Sequence, residues 1–244
     1  MTRGAAIALA IATPLGLTAC ESTADKSARI ARQGREAVRN QGTLNVGRNA
    51  EIHVARAVVV RGEGGAAAAA VELRNAGATA QADVPVLIDV RDGKGASLYR
   101  NDAVGLQPAL QRLALVKGRG SAWWVNDQVT IADAPRSVKV RVGKARDVAA
   151  APQVDVSDVH FEDDATGHFL TGTVVNRSKA LLRNVAVFAV AQRGSRVVAA
   201  GRAFVPRLPP GVQPANRQIH FRIFFVGRPQ GARLTLTVAP PATS

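Results

Sequence analysis

Apolar and polar positions alternate in short runs from Ile52 almost to the end of the chain, and this period of two dominates the sequence. Ile52, Val54, Val58 and Val60 alternate with His53, Arg61 and small residues until Gly62-Glu63-Gly64-Gly65 ends the run. Successive side chains of a strand point to opposite faces, so the run predicts a strand with one face buried. Ala66 to Ala70 taken alone suits a helix, yet it continues without a break into Val71-Glu72-Leu73-Arg74-Asn75. Val84, Val86, Ile88 and Val90 alternate cleanly before Asp92-Gly93-Lys94-Gly95, a hairpin signal. Further strand-like runs lie at Leu110 to Val116, at Ala122 to Val125, and through Val138, Val140 and Val142.

Pro152 closes an alanine-rich stretch, and the pattern then restarts. An offset of about 101 residues lays Val58 on Val159, Val60 on Phe161, Asn75 on Asn176, Val84 on Val185 and Gly93 on Gly194. The same offset lays Pro108 on Pro209 and, across a gap between 110 and 122, Trp123-Trp124-Val125 on Phe224-Phe225-Val226. These matches fall on turns and strand interiors, where backbone geometry limits residue choice, and they predict two copies of one unit. The alanine run then falls on 167–175 and is assigned to a strand. In the second copy Phe169, Thr171, Thr173 and Val175 share one face, while Leu170 and Val174 share the other. Val185 to Ala191 is apolar on both faces, as a central strand is.

This pattern predicts an all-β chain with two tandem immunoglobulin-like β-sandwich domains, at 49–150 and 151–244, sharing no sheet. The Cys-Trp-Cys signature of true immunoglobulin domains is absent. Gly172-Thr-Val-Val-Asn176-Arg-Ser178, Asn184-Val-Ala-Val187, Gly194 and Leu208-Pro-Pro-Gly211 together resemble the FxLYD-type and related adhesion-like modules of bacterial envelope proteins. Phe188-Ala-Val-Ala-Gln192 stands where that family carries its aromatic-Leu-Tyr-Asp signature. The resemblance implies a binding module with no enzymatic activity and no cofactor.

Upstream of the strands the chain reads as an address. Arg3 is followed by an apolar run from Ala5 to Ala12, Thr13-Pro14 breaks it, and Leu17-Thr18-Ala19 leads into Cys20. The layout is that of a secretory signal, too short to span a bilayer as a permanent helix. It resembles a bacterial lipoprotein lipobox, which implies cleavage after residue 19 and lipidation of Cys20. Residues 20–48 then form a basic tether in which Arg29, Arg32, Arg35 and Arg39, spaced by three and four, line one side of a potential helix. Such a segment suits an anionic membrane surface, and a solvated linker fits the same composition. The expected location is an exported protein held by lipid to the cell envelope, on the outer membrane in a diderm or the outer face of the cell membrane.

Charge alters the list of partners rather than the fold. The chain has 32 Lys and Arg against 18 Asp and Glu, a formal charge of +14. Nucleic acid is the usual partner for that balance, but export excludes it, leaving an envelope protein or an anionic envelope polymer, glycan or lipid. Cys20 is the only cysteine, so no disulfide forms within the chain.

Candidate chemistry is sparse. No Gly-x-Ser-x-Gly elbow occurs, and the four histidines, His53, His160, His168 and His220, lack helical His-x-x-x-His spacing. Glu162-Asp163-Asp164, between His160 and His168, is the one acidic cluster near imidazoles, but it falls where a turn is expected, so no metal is assigned. No catalytic residue and no cofactor are expected. Trp123 and Trp124 are strand neighbours and face opposite ways. The repeat makes Trp124 the core residue and Trp123 the outward one, a candidate contact for a partner or for the second domain.

Overall fold

The computed structural model describes residues 47–103, 105–131, 133–165, 167–211 and 219–242. The described residues are all β apart from one 3-10 turn at Pro108–Leu110, and they contain no α-helix. The first half holds β1 (Ile52–Arg61), β2 (Ala66–Asn75), β3 (Ala80–Arg91), β4 (Ser97–Arg100), β5 (Arg112–Val116), β6 (Ser121–Thr130), β7 (Ser137–Val142) and β8 (Arg146–Val148). The alanine run is strand, as the offset requires. β1, β2 and β6 form one antiparallel sheet in that order. In the second sheet β3 is central, with β4 and β5 along one edge and β7 and β8 along the other. Asn101 plugs the gap between β4 and β5: its Nδ2 donates to Val86 O and Leu110 O, and its Oδ1 accepts from Ile88 N.

The second half holds β9 (Val154–Asp164), β10 (Gly167–Asn176), β11 (Leu182–Arg193), β12 (Arg196–Leu208), β13 (Ile219–Gly227) and β14 (Arg233–Ala239). They form one curled antiparallel sheet in the order β14-β11-β12-β13-β10-β9. The pairing order of the first half recurs here: β9-β10-β13 repeats β1-β2-β6, and β12-β11-β14 repeats the arrangement around β3. β12 and β13 also pair at Ala199–Gly201, which curls the sheet onto itself. At Gly201 a Cβ would stand 2.2 Å from Phe224 O, so only glycine permits that approach.

Two details recur at the same offset. Asn75 and Asn176, both fully buried, end β2 and β10. Each accepts from the backbone N–H two residues on, Gly77 or Ser178, and donates to the carbonyl four residues on, Thr79 or Ala180. Asp83 and Asn184 both take the left-handed backbone, φ 56° and 57°, and mark equivalent places on β3 and β11. Short polar side chains tolerate that conformation better than other non-glycine residues.

Beyond β3 the offset changes. Trp124 pairs with Val71, whereas the β10 residue that matches Val71, Gly172, pairs with Phe221. Trp124 therefore corresponds to Phe221 rather than Phe225, and Trp123 to His220 rather than Phe224. Leu113 pairs with Val84 as Val205 pairs with Val185, so the Pro108–Pro209 match also fails. Connections of unequal length in the two halves shift the later strands. On the first strands, Val58 lies opposite Ala70 and His160 opposite Thr171, so Val58 matches His160 instead of Val159. Both first strands carry a bulge, at Val54–Arg56 and around Asp158, φ 54°, and the extra residue is taken up by the shorter turn between β9 and β10. The Trp displacement of four is even, so the inward face of Trp124 is preserved.

Among the described residues no hydrogen-bonded ladder joins the halves. The second half encloses a cluster that includes Leu170, Val174, Val185, Val187, Ala189, Phe221 and Ile223. The larger cluster fills the first half and continues out of it onto Ala186, Phe188, Val190, Ala200 and Ala239 of the second. Ala186, Phe188 and Val190 alternate with the second half's own core residues along β11, and Ala200 and Ala239 pair with Val190 and Ala186, so all five belong to the outer face of its sheet.

Candidate functional site

The predicted lipidation site Cys20 and the tether arginines Arg29, Arg32, Arg35 and Arg39 lie outside the described residues. Arg48, at the end of the expected tether, bridges to Gly143, and Asn49 beside it is buried, donating to Gln81 and Gly143 O. The β body thus holds the chain from Arg48 onward.

Trp124 is fully buried, and its indole N–H donates to Ala109 O at 2.8 Å. Trp123 is only 4% exposed, although it points away from the first half's interior. The backbone N–H of Trp123 donates to Thr237 Oγ1 at 2.9 Å, and Trp123 shares a cluster with Phe188 and Val190. The second half of the same chain covers it. The alanines of β2 assist: Ala67 to Ala70 are all fully buried, and their small side chains let the second half come close to the strand.

Among the described residues two ion pairs join the halves, an exposed one from Arg228 to Glu63 at 3.3 Å and a buried one. Arg202 on β12 donates from Nε to Asp127 Oδ1 at 2.8 Å and from Nη2 to Gln107 Oε1 at 3.3 Å. The Arg202 side chain is 7% exposed, so its charge depends on Asp127 for compensation. Neither residue stood out in the sequence. The available signal was a lone arginine in an otherwise apolar Val197–Val205 strand.

The acidic cluster is placed differently from expectation. Glu162, Asp163 and Asp164 end strand β9 instead of occupying the turn. Asp164 accepts from Arg222 at 3.1 Å, and Glu162 accepts from His160 at 2.9 Å. The His160 ring also meets Asp158 O at 2.7 Å, and that backbone bond, aided by Glu162, raises its pKa above the ordinary histidine value. Among the described residues no group of three or more His, Cys, Asp or Glu is arranged to hold a metal. His220 lies on the outer face of β13 beside Thr173. Phe224, next on that face after Arg222, is 47% exposed, and its ring is 5.5 Å from buried Phe169, over which the Arg222 guanidinium lies at 3.8 Å. Outward Phe224 and half-buried Phe225 follow the alternation read along β13.

Two basic features are assembled by the fold. A cleft of about 570 Å³ is lined by Arg61, Arg193 and Arg228 with Glu63. On the outer face of β3, β4 and β7, Asp89 sits between Arg100 and Lys139 in adjacent strands, with Arg91 and Arg141 one row to either side. Arg91 grips Asp89 Oδ2 from Nε and Nη2. Burial pushes the Asp89 carboxyl up, but hydrogen bonds from Ser97 and Arg91 and the charges of Arg91 and Arg100 outweigh it and hold it below the usual aspartate range. Charges spaced by two, Asp89/Arg91 and Lys139/Arg141, were the sequence signal for this face.

No protein-family model matches the chain, and no curated protein matches its sequence. Among the described residues no helix is long and apolar enough to cross a membrane.

Proposed function

We propose that this protein is a lipid-anchored, non-catalytic module of the bacterial cell envelope, whose tandem immunoglobulin-like sandwiches bind or assemble other envelope components. The observation that carries the reading is Leu17-Thr18-Ala19-Cys20 behind a charged and apolar leader. The strand order that recurs in both halves supports a binding role. The test is fractionation of Cys20→Ala: wild type partitions into detergent, and the variant is released or left unprocessed. Normal processing and membrane association of the alanine variant would refute the anchor.

A second reading, binding of an anionic glycan or lipid, is favoured by the arginine-lined cleft at Arg61, Arg193 and Arg228. It requires salt-sensitive cosedimentation with anionic vesicles or wall polymer that Arg61→Glu with Arg228→Glu abolishes.

A further inference from the structure

Within the chain, the outer face of β2 and β6 in the first half packs on the outer face of β11, β12 and β14 in the second. Because both halves repeat one strand order, each also has the counterpart of the face that its neighbour uses. The first half leaves the outer face of β3, β4 and β7 uncovered, and the second leaves that of β9, β10 and β13 as far as Phe224, beyond which Val226 packs on the first half. We propose that these two free faces join between chains, so that copies of this protein stack head to tail and each new contact repeats the one inside the chain. The proposal deepens the assembly reading above and does not depend on the lipid anchor.

Residue pairing fixes the correspondence. Asp89 pairs with Arg100 as Val190 pairs with Ala200, and Leu87 pairs with Arg141 as Phe188 pairs with Thr237. Thus Arg100 and Arg141 occupy the positions that are Ala200 and Thr237 where the face is covered. On the opposing side Val60 pairs with Ala68 as Glu162 pairs with Phe169, so Glu162 takes the place of Val60. Inside the chain Val60 and Ala200 belong to one apolar cluster. Their counterparts between chains are Glu162 and Arg100, a carboxylate meeting a guanidinium.

The wider charges agree. On its outer face β9 brings Asp155, Glu162 and Asp164 and no Lys or Arg, while Arg222 of β13 pairs with Asp164 and Arg177 pairs with Asp155. The opposing face carries Arg91, Arg100, Lys139 and Arg141, with Asp89 held by Arg91 and Asp102 paired to Arg100. Phe224, 47% exposed, supplies apolar area on the β13 side. The contact joins two different surfaces, so its repetition builds an open line or a closed ring of chains rather than an isologous pair. Opposed charges bring the faces into register, and burial of Phe224 holds them.

The experiment is sedimentation of the full chain in mild detergent, matched for density, at about 0.1 M and about 1 M salt, across which the screening length falls from ~10 Å to ~3 Å. Wild type is expected to exceed the mass of one chain at low salt and to dissociate at high salt. Arg100→Glu alone and Glu162→Arg alone each place like charges in the contact and should raise the dissociation constant at least ~tenfold. An equimolar mixture of the two variants regains association, because each now complements the other. Phe224→Ser, which alters no charge, also weakens it. Circular dichroism confirms that the variants are folded. A single-chain mass for wild type at low salt overturns the proposal. So does a reversal that leaves the mass unchanged, or a mixture that stays monomeric. The same preparations retain Cys20, so membrane partitioning reports separately on the anchor.

Discussion

Replacing Trp123 by alanine tests how the two halves are joined. The side chain is 4% exposed, although it points out of its own half, so its burial is owed to the second half. A buried tryptophan covers about 150–250 Å², which at about 25 cal/mol/Å² corresponds to roughly 4–6 kcal/mol for the whole side chain. Alanine retains part of that, and measured losses for Trp→Ala are about 3–5 kcal/mol. Against a total stability of about 5–15 kcal/mol for a typical domain, the change is large. It also has a signature that core truncation lacks. Both tryptophans of the chain lie in the first half, so in Trp123→Ala the remaining fluorescence of Trp124 reports that half alone, while far-ultraviolet circular dichroism reports both. In guanidinium unfolding the two signals coincide for wild type and separate for Trp123→Ala, because the junction no longer couples the halves. Coincident curves with a loss below about 1 kcal/mol would show that the second half does not depend on Trp123, and the argument would fail.

Three other outcomes follow from the same structure. Asp127→Ala leaves the Arg202 charge buried and should cost about 3–5 kcal/mol in chemical denaturation, most of it recovered when Arg202→Met is added. Asn176→Ala strands the Ser178 N–H and the Ala180 and Leu208 carbonyls, and should cost about 2–4 kcal/mol, with Asn75→Ala behaving alike in the first half; a neutral result at either would mean that water replaces the side chain. His160 should titrate above about 6.5 by NMR, and Glu162→Gln should lower its midpoint. Its folded pKa is raised, so its contribution to stability is full below the unfolded value and is lost as pH rises through the folded one; a midpoint unmoved in Glu162→Gln would exclude that carboxylate as a cause.

Strand placement was legible in the sequence because a strand with one wet face must alternate, and turns demand glycine, asparagine or aspartate. The offset found the repeat through Asn75 and Asn176, whose side chains stand in for backbone bonds at the same corner of each half. It also placed Trp124 inward, since parity survives any even slip. The slip itself was not legible. Pairing of β6 and β13 depends on the loops before them, and loops of different length leave no periodic trace. The coverage of Trp123 was only half legible: Ala122 to Val125 is apolar on both faces, like Val185 to Ala191, which calls for burial on both sides.

What the sequence alone determined is local: which residues form strands, where the chain turns, and which residues share a face. Those features follow from backbone geometry and from neighbours a few positions away. What covers an outward face is set by residues about a hundred positions off, and alternation is silent on it. Only the tertiary structure decided that the second half buries Trp123, that Arg202 reaches Asp127 across the junction, and that Arg100 and Glu162 stand on faces left open.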